Sequence, residues 1–196
     1  VLARALVLNG EDHMSDIQLL SLATDMEGHP DNVSAALFGG ATISWFESEK
    51  HKASAHCVHL NVDPRIQAMA YIPAKAVATS KARKMLPDSI PFADAVTNSR
   101  NASLMSHALT TRPDLLFTAT EDFLHQSYRA DAMPESFALV QKLRGAGVAA
   151  FISGAGPTVL ALHTADQREV EELKLAGGKA FEATPLEIAS RGAVLL

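Results

Sequence analysis

Glu27, His29, Asp31 and Asn32 fall within the six residues EGHPDN, bent by Gly28 and Pro30 just ahead of the apolar-periodic stretch VSAALF. Two carboxylates, an imidazole and a carboxamide on a turn that enters a helix can be aimed at one point. The helix N-terminus behind them adds amide donors and partial positive charge, both suited to a phosphate. Glu27 or Asp31 could hold Mg²⁺, a hard cation that prefers carboxylate and phosphate oxygens. The plainer alternative is a capped helix whose Asp and Asn satisfy backbone amides, and the local residues alone favour that reading.

A second segment, SGAGPT at Ser153 to Thr158, carries two glycines and a proline in six residues. Glycine lets a backbone approach a ligand closely or take positive φ. The segment matches neither Walker A nor GxGxxG, and by itself a glycine-rich turn between strands is most often only a turn. Thr79 and Arg83 in TSKAR lie four apart, hence on one face of a helix that begins at Thr79. A planar guanidinium there can grip a carboxylate through two hydrogen bonds. Arg129, in HQSYRADAMP, follows a helix and precedes a proline turn; a loop arginine is usually solvent-exposed, although loops on rigid scaffolds carry ligands disproportionately. His51, His56, Cys57 and His59 suggest zinc, but HCVHL reads as a strand, which puts His56 opposite Cys57 and His59. Too few convergent ligands then remain for a tetrahedral site.

These residues need elements to position them. Ser15 and Gln18 have capping-box spacing, and Leu19, Leu20, Ala23 and Met26 supply a helical stripe. A short helix runs from Asp31 to Gly39-Gly40, and ATISWF alternates like a strand. The polar run ESEKHKASA marks a domain boundary, dividing the chain into 1–50 and 51–196. Beyond it, HCVHLNV and IQAMAYI read as strands and SKARKML as a helix. Helices follow over Asn98 to Arg112, Asp114 to about Gln126, and from Pro134 to the Gly145-Ala146-Gly147 cap. VAAFIS and TVLALH flank SGAGPT as paired strands. Asp166 to Ala176 is a helix, and KAFEA a last strand. The residues Val1 to Leu8 read as the tail of a buried helix. The fold class is α+β.

Composition narrows the function. With 47% apolar and 20% charged residues in 196, the chain can bury a core. A net charge of −5 argues against nucleic acid or an anionic membrane as a partner. No apolar run approaches the roughly 18–20 residues that span a bilayer. The single cysteine, Cys57, excludes an internal disulfide and fits a reducing, cytoplasmic setting.

The order and spacing of the segments are more specific than any one of them. EGHPDNVSAALFGGATISW, TSKARKMLP, a helix opening on Asn98, RPDLL with LHQSYR, and GVAAFISGAGPTVLAL together resemble the homoserine kinase family of the GHMP kinase superfamily, its actinobacterial members above all. The resemblance implies a GHMP kinase fold, in which the remnant of an N-terminal domain like ribosomal protein S5 domain 2 is joined to a ferredoxin-like C-terminal domain. It implies ATP and L-homoserine bound in the cleft between the domains, with transfer of the γ-phosphoryl group to the substrate hydroxyl on the route to threonine. It assigns Asn32 to the reactive hydroxyl, with His29 and Asp31 lining the pocket. Arg83, accompanied by Thr79, and Arg129 clamp the carboxylate. Ser153, Gly154 and Gly156 belong to the turn that packs against the phosphate loop, and Glu27 is the Mg²⁺ residue. Asn32, Arg83 and Arg129 are thus the expected catalytic set, with no general base, and a homodimer follows from family resemblance alone.

The family's PxxxGLGSSAA-type loop is not in this sequence. The expectation is therefore a fragment lacking that region, with little ATP turnover of its own. The alternatives are a GHMP kinase for another acceptor, such as mevalonate, shikimate or a sugar, and a non-catalytic GHMP-like binding module.

Overall fold

A computed structural model describes residues 14–47, 55–74, 85–164 and 166–193. The helix expected at residues 1–8, most of the connector and of SKARKML, and Thr79 and Arg83 lie outside the described residues. The α+β class holds, in two compact units. One takes the chain up to Val62 together with the residues from Ile188 on, and the other is Asp63–Glu187.

In the first unit, α1 (Asp16–Glu27) starts at Ser15 with a complete capping box. Gln18 N–H donates to Ser15 Oγ at 3.3 Å, and Ser15 N–H to Gln18 Oε1 at 2.8 Å. Leu19 and Leu20 are buried as the stripe predicts, whereas Met26, in the helix's last turn, is 84% exposed. Gly28 ends the helix at φ +96°, a conformation open to glycine, and donates to Thr24 O at 2.7 Å. Helix α2 (Asp31–Phe38) follows and packs on strand β1 (Ala41–Phe46). β1 pairs antiparallel with β2 (Ala55–Leu60), Ala41 opposite Leu60 and Phe46 opposite Ala55.

This pairing explains the division of the chain. The polar run expected to separate domains at residues 48–56 joins two strands of one sheet, so the compact units part at Val62 instead. The C-terminal segment closes the unit. Ala193 N–H reaches Ala36 O at 2.9 Å and Gly40 N–H reaches Ala189 O at 2.6 Å. Gly39 (φ +79°) is required there, because a Cβ would lie 2.5 Å from the Arg191 carbonyl carbon.

The second unit is a four-stranded antiparallel sheet of β3 (Gln67–Pro73), β4 (Ala149–Ile152), β5 (Val159–His163) and β6 (Phe181–Leu186), in the order β4-β5-β3-β6. Between β3 and β4 run α3 (Phe92–Thr110), a 3₁₀ turn at Pro113–Leu115, the four-residue α4 (Leu116–Ala119) and α5 (Pro134–Gly145). Helix α6 (Gln167–Ala176), capped by Asp166, joins β5 to β6. The pattern is β-α-β-β-α-β. Met69 and Tyr71 of β3 stand opposite Ala161 and Val159 of β5, which in turn face Ala150 and Ile152 of β4. These six form one buried face, covered by Leu139, Val140 and Leu143 of α5 and Leu173 of α6. Burial pushes the Tyr71 phenol up to about 12, and its hydroxyl donates to Leu173 O at 2.9 Å.

Two expectations for this unit need correction. Helix α3 begins six residues earlier than Asn98, at Phe92. The helix expected from Asp114 to Gln126 ends at Ala119, because side chains take the amides that would continue it: Asn98 Oδ1 accepts Phe123 N–H, and Asp122 Oδ2 accepts those of His125 and Gln126.

Candidate active site

The EGHPDN corner joins α1 to α2. Glu27 is the last residue of α1 and exposed; Pro30 precedes the first turn of α2 in helical conformation and supplies no side-chain cap. Asp31 organises the corner. One of its carboxylate oxygens, Oδ1, takes the Asn32 N–H at 2.7 Å and lies 2.5 Å from His29 Nδ1, while its carbonyl accepts from Ser34 Oγ at 3.0 Å. Ser34 is fully buried and bonded to Thr42 Oγ1 at 2.7 Å, which ties the helix to β1. Asp31 thus satisfies one amide of the first turn and also holds the His29 ring, while the helix has no side-chain N-cap. The Asn32 carboxamide is exposed and has no partner among the described residues.

SGAGPT is a turn between β4 and β5, as predicted. Ser153 N–H donates to Thr158 O at 2.9 Å, and Gly156 N–H to Ser153 O at 2.9 Å. The two glycines do different work. Gly154 (φ +56°) has open space where a Cβ would stand, whereas a Cβ on Gly156 (φ +79°) would lie 2.5 Å from Met133 Sδ and 2.9 Å from Ile152 Cγ2. Ser136, buried in the first turn of α5, donates to Pro157 O at 2.6 Å. The turn is thus clamped from α5 and from the residue before it.

Arg129 sits on the segment that leads into that clamp. Its N–H bonds to His125 O at 3.1 Å and its carbonyl accepts from Ala132 N–H at 3.0 Å. Its Nε is buried and has no partner among the described residues. Gln126, three residues before it, donates its backbone N–H to Asp122 and accepts Ile152 N–H on Oε1 at 2.7 Å. Met133, four residues after it, lies against Gly156. The second unit therefore brings Arg129 and SGAGPT, some two dozen residues apart in sequence, to the same end of the β4–β5 hairpin. Burial pushes the His125 imidazole below the ordinary histidine value, and Arg129 adds to that. Asp122, whose carboxylate lies 3.3 Å from Nε2, pulls the other way.

A 310 Å³ cavity beside this segment is lined by polar Asn98, Asn101, Asp122, His125 and Gln126 with apolar Phe151. A larger one, of 550 Å³, opens at the opposite end of the hairpin among Phe117, Leu143, Leu162 and Leu173, and includes none of the expected site residues. Among the described residues no three His, Cys, Asp or Glu side chains are grouped to hold a metal, and no helix is long and apolar enough to cross a membrane. His56 stacks on Trp45 and His59 meets Phe38 edge-on, while Cys57 is half-buried. Sequence reasoning missed Gln126, Met133 and Ser136. Only Asp122, three residues ahead of His125, advertised itself as a cap.

The SGAGPT turn and the segment of an arginine with an unpaired buried donor thus share one end of a β-α-β-β-α-β sheet. Residues 101–183 match the family model described as GHMP kinases C terminal. Over that stretch the chain is similar to GHMP kinases. Along its full length it is similar to homoserine kinases: it is 47% identical over 196 residues to homoserine kinase from Streptomyces avermitilis, spanning 62% of that relative's length. Among solved structures, homoserine kinase from Cytophaga hutchinsonii matches 91% of the chain and 60% of its own, at 23% identity and a TM-score of 0.76. Mevalonate pyrophosphate decarboxylase from Streptococcus pyogenes matches at 13% identity and a TM-score of 0.52, over 100% of the chain and 64% of its own. Both likenesses are of fold alone.

Proposed function

We propose that this chain carries most of the acceptor-binding machinery of a homoserine kinase, which transfers the γ-phosphoryl group of ATP to the side-chain hydroxyl of L-homoserine and yields O-phospho-L-homoserine for threonine synthesis. The second unit is the ferredoxin-like C-terminal domain, and the first belongs to the domain like ribosomal protein S5 domain 2. The observation that carries the reading is the buried Arg129 Nε without a partner, on a segment pinned to the SGAGPT turn. Leaving a charged donor buried and unpaired is costly, and a carboxylate would satisfy it with a charge-assisted bond.

The roles divide as follows. Arg129 and Arg83, with Thr79 beside the latter, fix the amino-acid carboxylate. The exposed Asn32 carboxamide takes the acceptor hydroxyl, with His29 and Asp31 orienting the substrate. Ser153, Gly154 and Gly156 shape the nucleotide side. Phosphoryl transfer through a loose transition state needs in-line positioning and charge neutralisation more than a strong base, so none is assigned. Mg²⁺, when bound, neutralises phosphate charge. Glu27 suits it: a solvated carboxylate at the negative end of α1 is unfavourable without a cation, and Mg²⁺ needs only one or two protein carboxylates beside phosphates and water. The setting is cytoplasmic and the assembly a homodimer.

Calorimetric binding of L-homoserine against 3-aminopropan-1-ol, the same molecule without its carboxylate, tests the reading. L-Homoserine should bind about a hundredfold tighter, and Arg129→Ala should erase most of that ratio. Equal binding of the two by the unsubstituted protein, or tighter binding of mevalonate or shikimate, overturns it.

A further inference from the structure

Strand β4 is an open edge of the four-stranded sheet. Because Ser153 N–H pairs with Thr158 O across the hairpin, antiparallel alternation turns the N–H and C=O of Ile152 and Ala150 outward, away from β5. An edge left so would expose backbone groups in apolar surroundings. Side chains meet two of these groups, while the Ala150 N–H turns back to Val148 O. Arg144 Nη1 donates to Ala150 O at 3.3 Å, and Gln126 Oε1 accepts Ile152 N–H at 2.7 Å.

The second of these bonds lies one residue before the SGAGPT turn and three before Arg129. Gln126 is only 8% exposed, so the segment cannot lift without stranding both a backbone amide and a carboxamide. Its own N–H is held by Asp122 at 2.7 Å, so residue 126 is fixed at backbone and side chain together. The Arg129 N–H then continues the same turn to His125 O.

We infer that Gln126 is a positioning residue. Resting on the carboxylate-gripping reading of Arg129, its bond to Ile152 locks the guanidinium in register with the glycine turn, so that the two move as one body. Sealing the sheet edge alone would be a lesser role, and the two roles separate experimentally. Gln126→Leu keeps the volume and loses the acceptor. Gln126→Glu keeps an acceptor oxygen at the same reach.

The readouts are the ¹⁵N–¹H resonance of the Arg129 Nε–H, assigned by its loss in Arg129→Lys, the exchange of the Ile152 amide, and calorimetric binding of L-homoserine and 3-aminopropan-1-ol. Gln126→Leu should speed exchange of the Arg129 Nε–H at least about tenfold and weaken L-homoserine about tenfold, with 3-aminopropan-1-ol unchanged. Gln126→Glu should restore both to within about twofold. An Arg129 signal untouched in Gln126→Leu, while the Ile152 amide exchanges faster, reduces Gln126 to an edge seal and overturns the inference. If Gln126→Leu does not fold, Gln126→Asn, one methylene too short to reach Ile152, gives the same two outcomes. If the unsubstituted protein does not bind L-homoserine, the kinase reading fails, and the Arg129 resonance still decides the positioning role.

Discussion

At the HPDN corner, Asp31 holds its neighbours: the ring two residues before it, the amide one after, and the hydroxyl three after. Among the described residues, the side-chain bond that ties the corner to anything further is that of Ser34 to Thr42, eight residues on. At the SGAGPT turn the ties come from far away in the chain. Ser136 reaches Pro157 across 21 residues, Gln126 reaches Ile152 across 26, and Met133 fills the space over Gly156. The first geometry is written in six consecutive residues and faces solvent. The second is imposed by packing, and a change of shape there has to be absorbed by a core that cannot give way.

The contrast is sharpest within the turn itself. Gly156→Ala places a methyl against Met133 and Ile152 at positive φ, and should cost about 3 kcal/mol or more from overpacking and strain together. Gly154→Ala meets open space and carries only the conformational penalty of about 1–2 kcal/mol. Denaturation can be followed separately in each unit, because both tyrosines, Tyr71 and Tyr128, lie in the second and the lone tryptophan, Trp45, in the first. Equal losses in the two variants, read by tyrosine, would break the claim that the turn is held from outside.

The corner should behave in the opposite way. Asp31 is 70% exposed, and Asn in its place keeps an oxygen for the Asn32 N–H, so Asp31→Asn should cost below about 1 kcal/mol in the tryptophan-reported transition. A loss as large as that of Gly156→Ala would show the corner to be packed rather than self-paired.

The same difference decides what the sequence made legible. Ser15 with Gln18, Gly28-His29-Pro30, Asp166 with Glu169, and the strand pair around SGAGPT are local patterns, and each forms where its residues predict. Met26 fits the helical stripe yet stands in solvent, since periodicity does not show where a helix runs past its neighbours. The segment after Ala119 reads as helix by composition. It is diverted because Asn98, Asp122 and Gln126 form bonds to backbone that compete with helical ones, two of them across about 25 residues. A single sequence carries no signal for such partners. The boundary misplaced in the polar run has a like cause: strand pairing, which no composition shift announces, carries β2 into the first unit. Arg129 could be singled out as a loop arginine, whereas the burial of its Nε could not.

The smallest expected effect tests how far the Arg129 segment is desolvated. The His125 imidazole is held below the ordinary value near 6.5, first by burial and then by Arg129, against the pull of Asp122. As pH falls through 6.5 the unfolded chain takes up that proton while the folded one still refuses it. The unfolded state then binds more protons, and stability falls with falling pH until the folded imidazole also titrates. His163, depressed by burial and pulled up by Glu169, contributes in the same sense. The tyrosine-reported unfolding midpoint should therefore drop between pH 7 and pH 5.5, and His125→Gln should flatten part of that drop, leaving the share due to His163. A steeper drop in His125→Gln, or a rise in stability below pH 6.5 that His125→Gln abolishes, would mean that Asp122 dominates and the ring is charged when folded. A ring held charged in the fold would show the segment to be less desolvated than the buried Arg129 Nε implies.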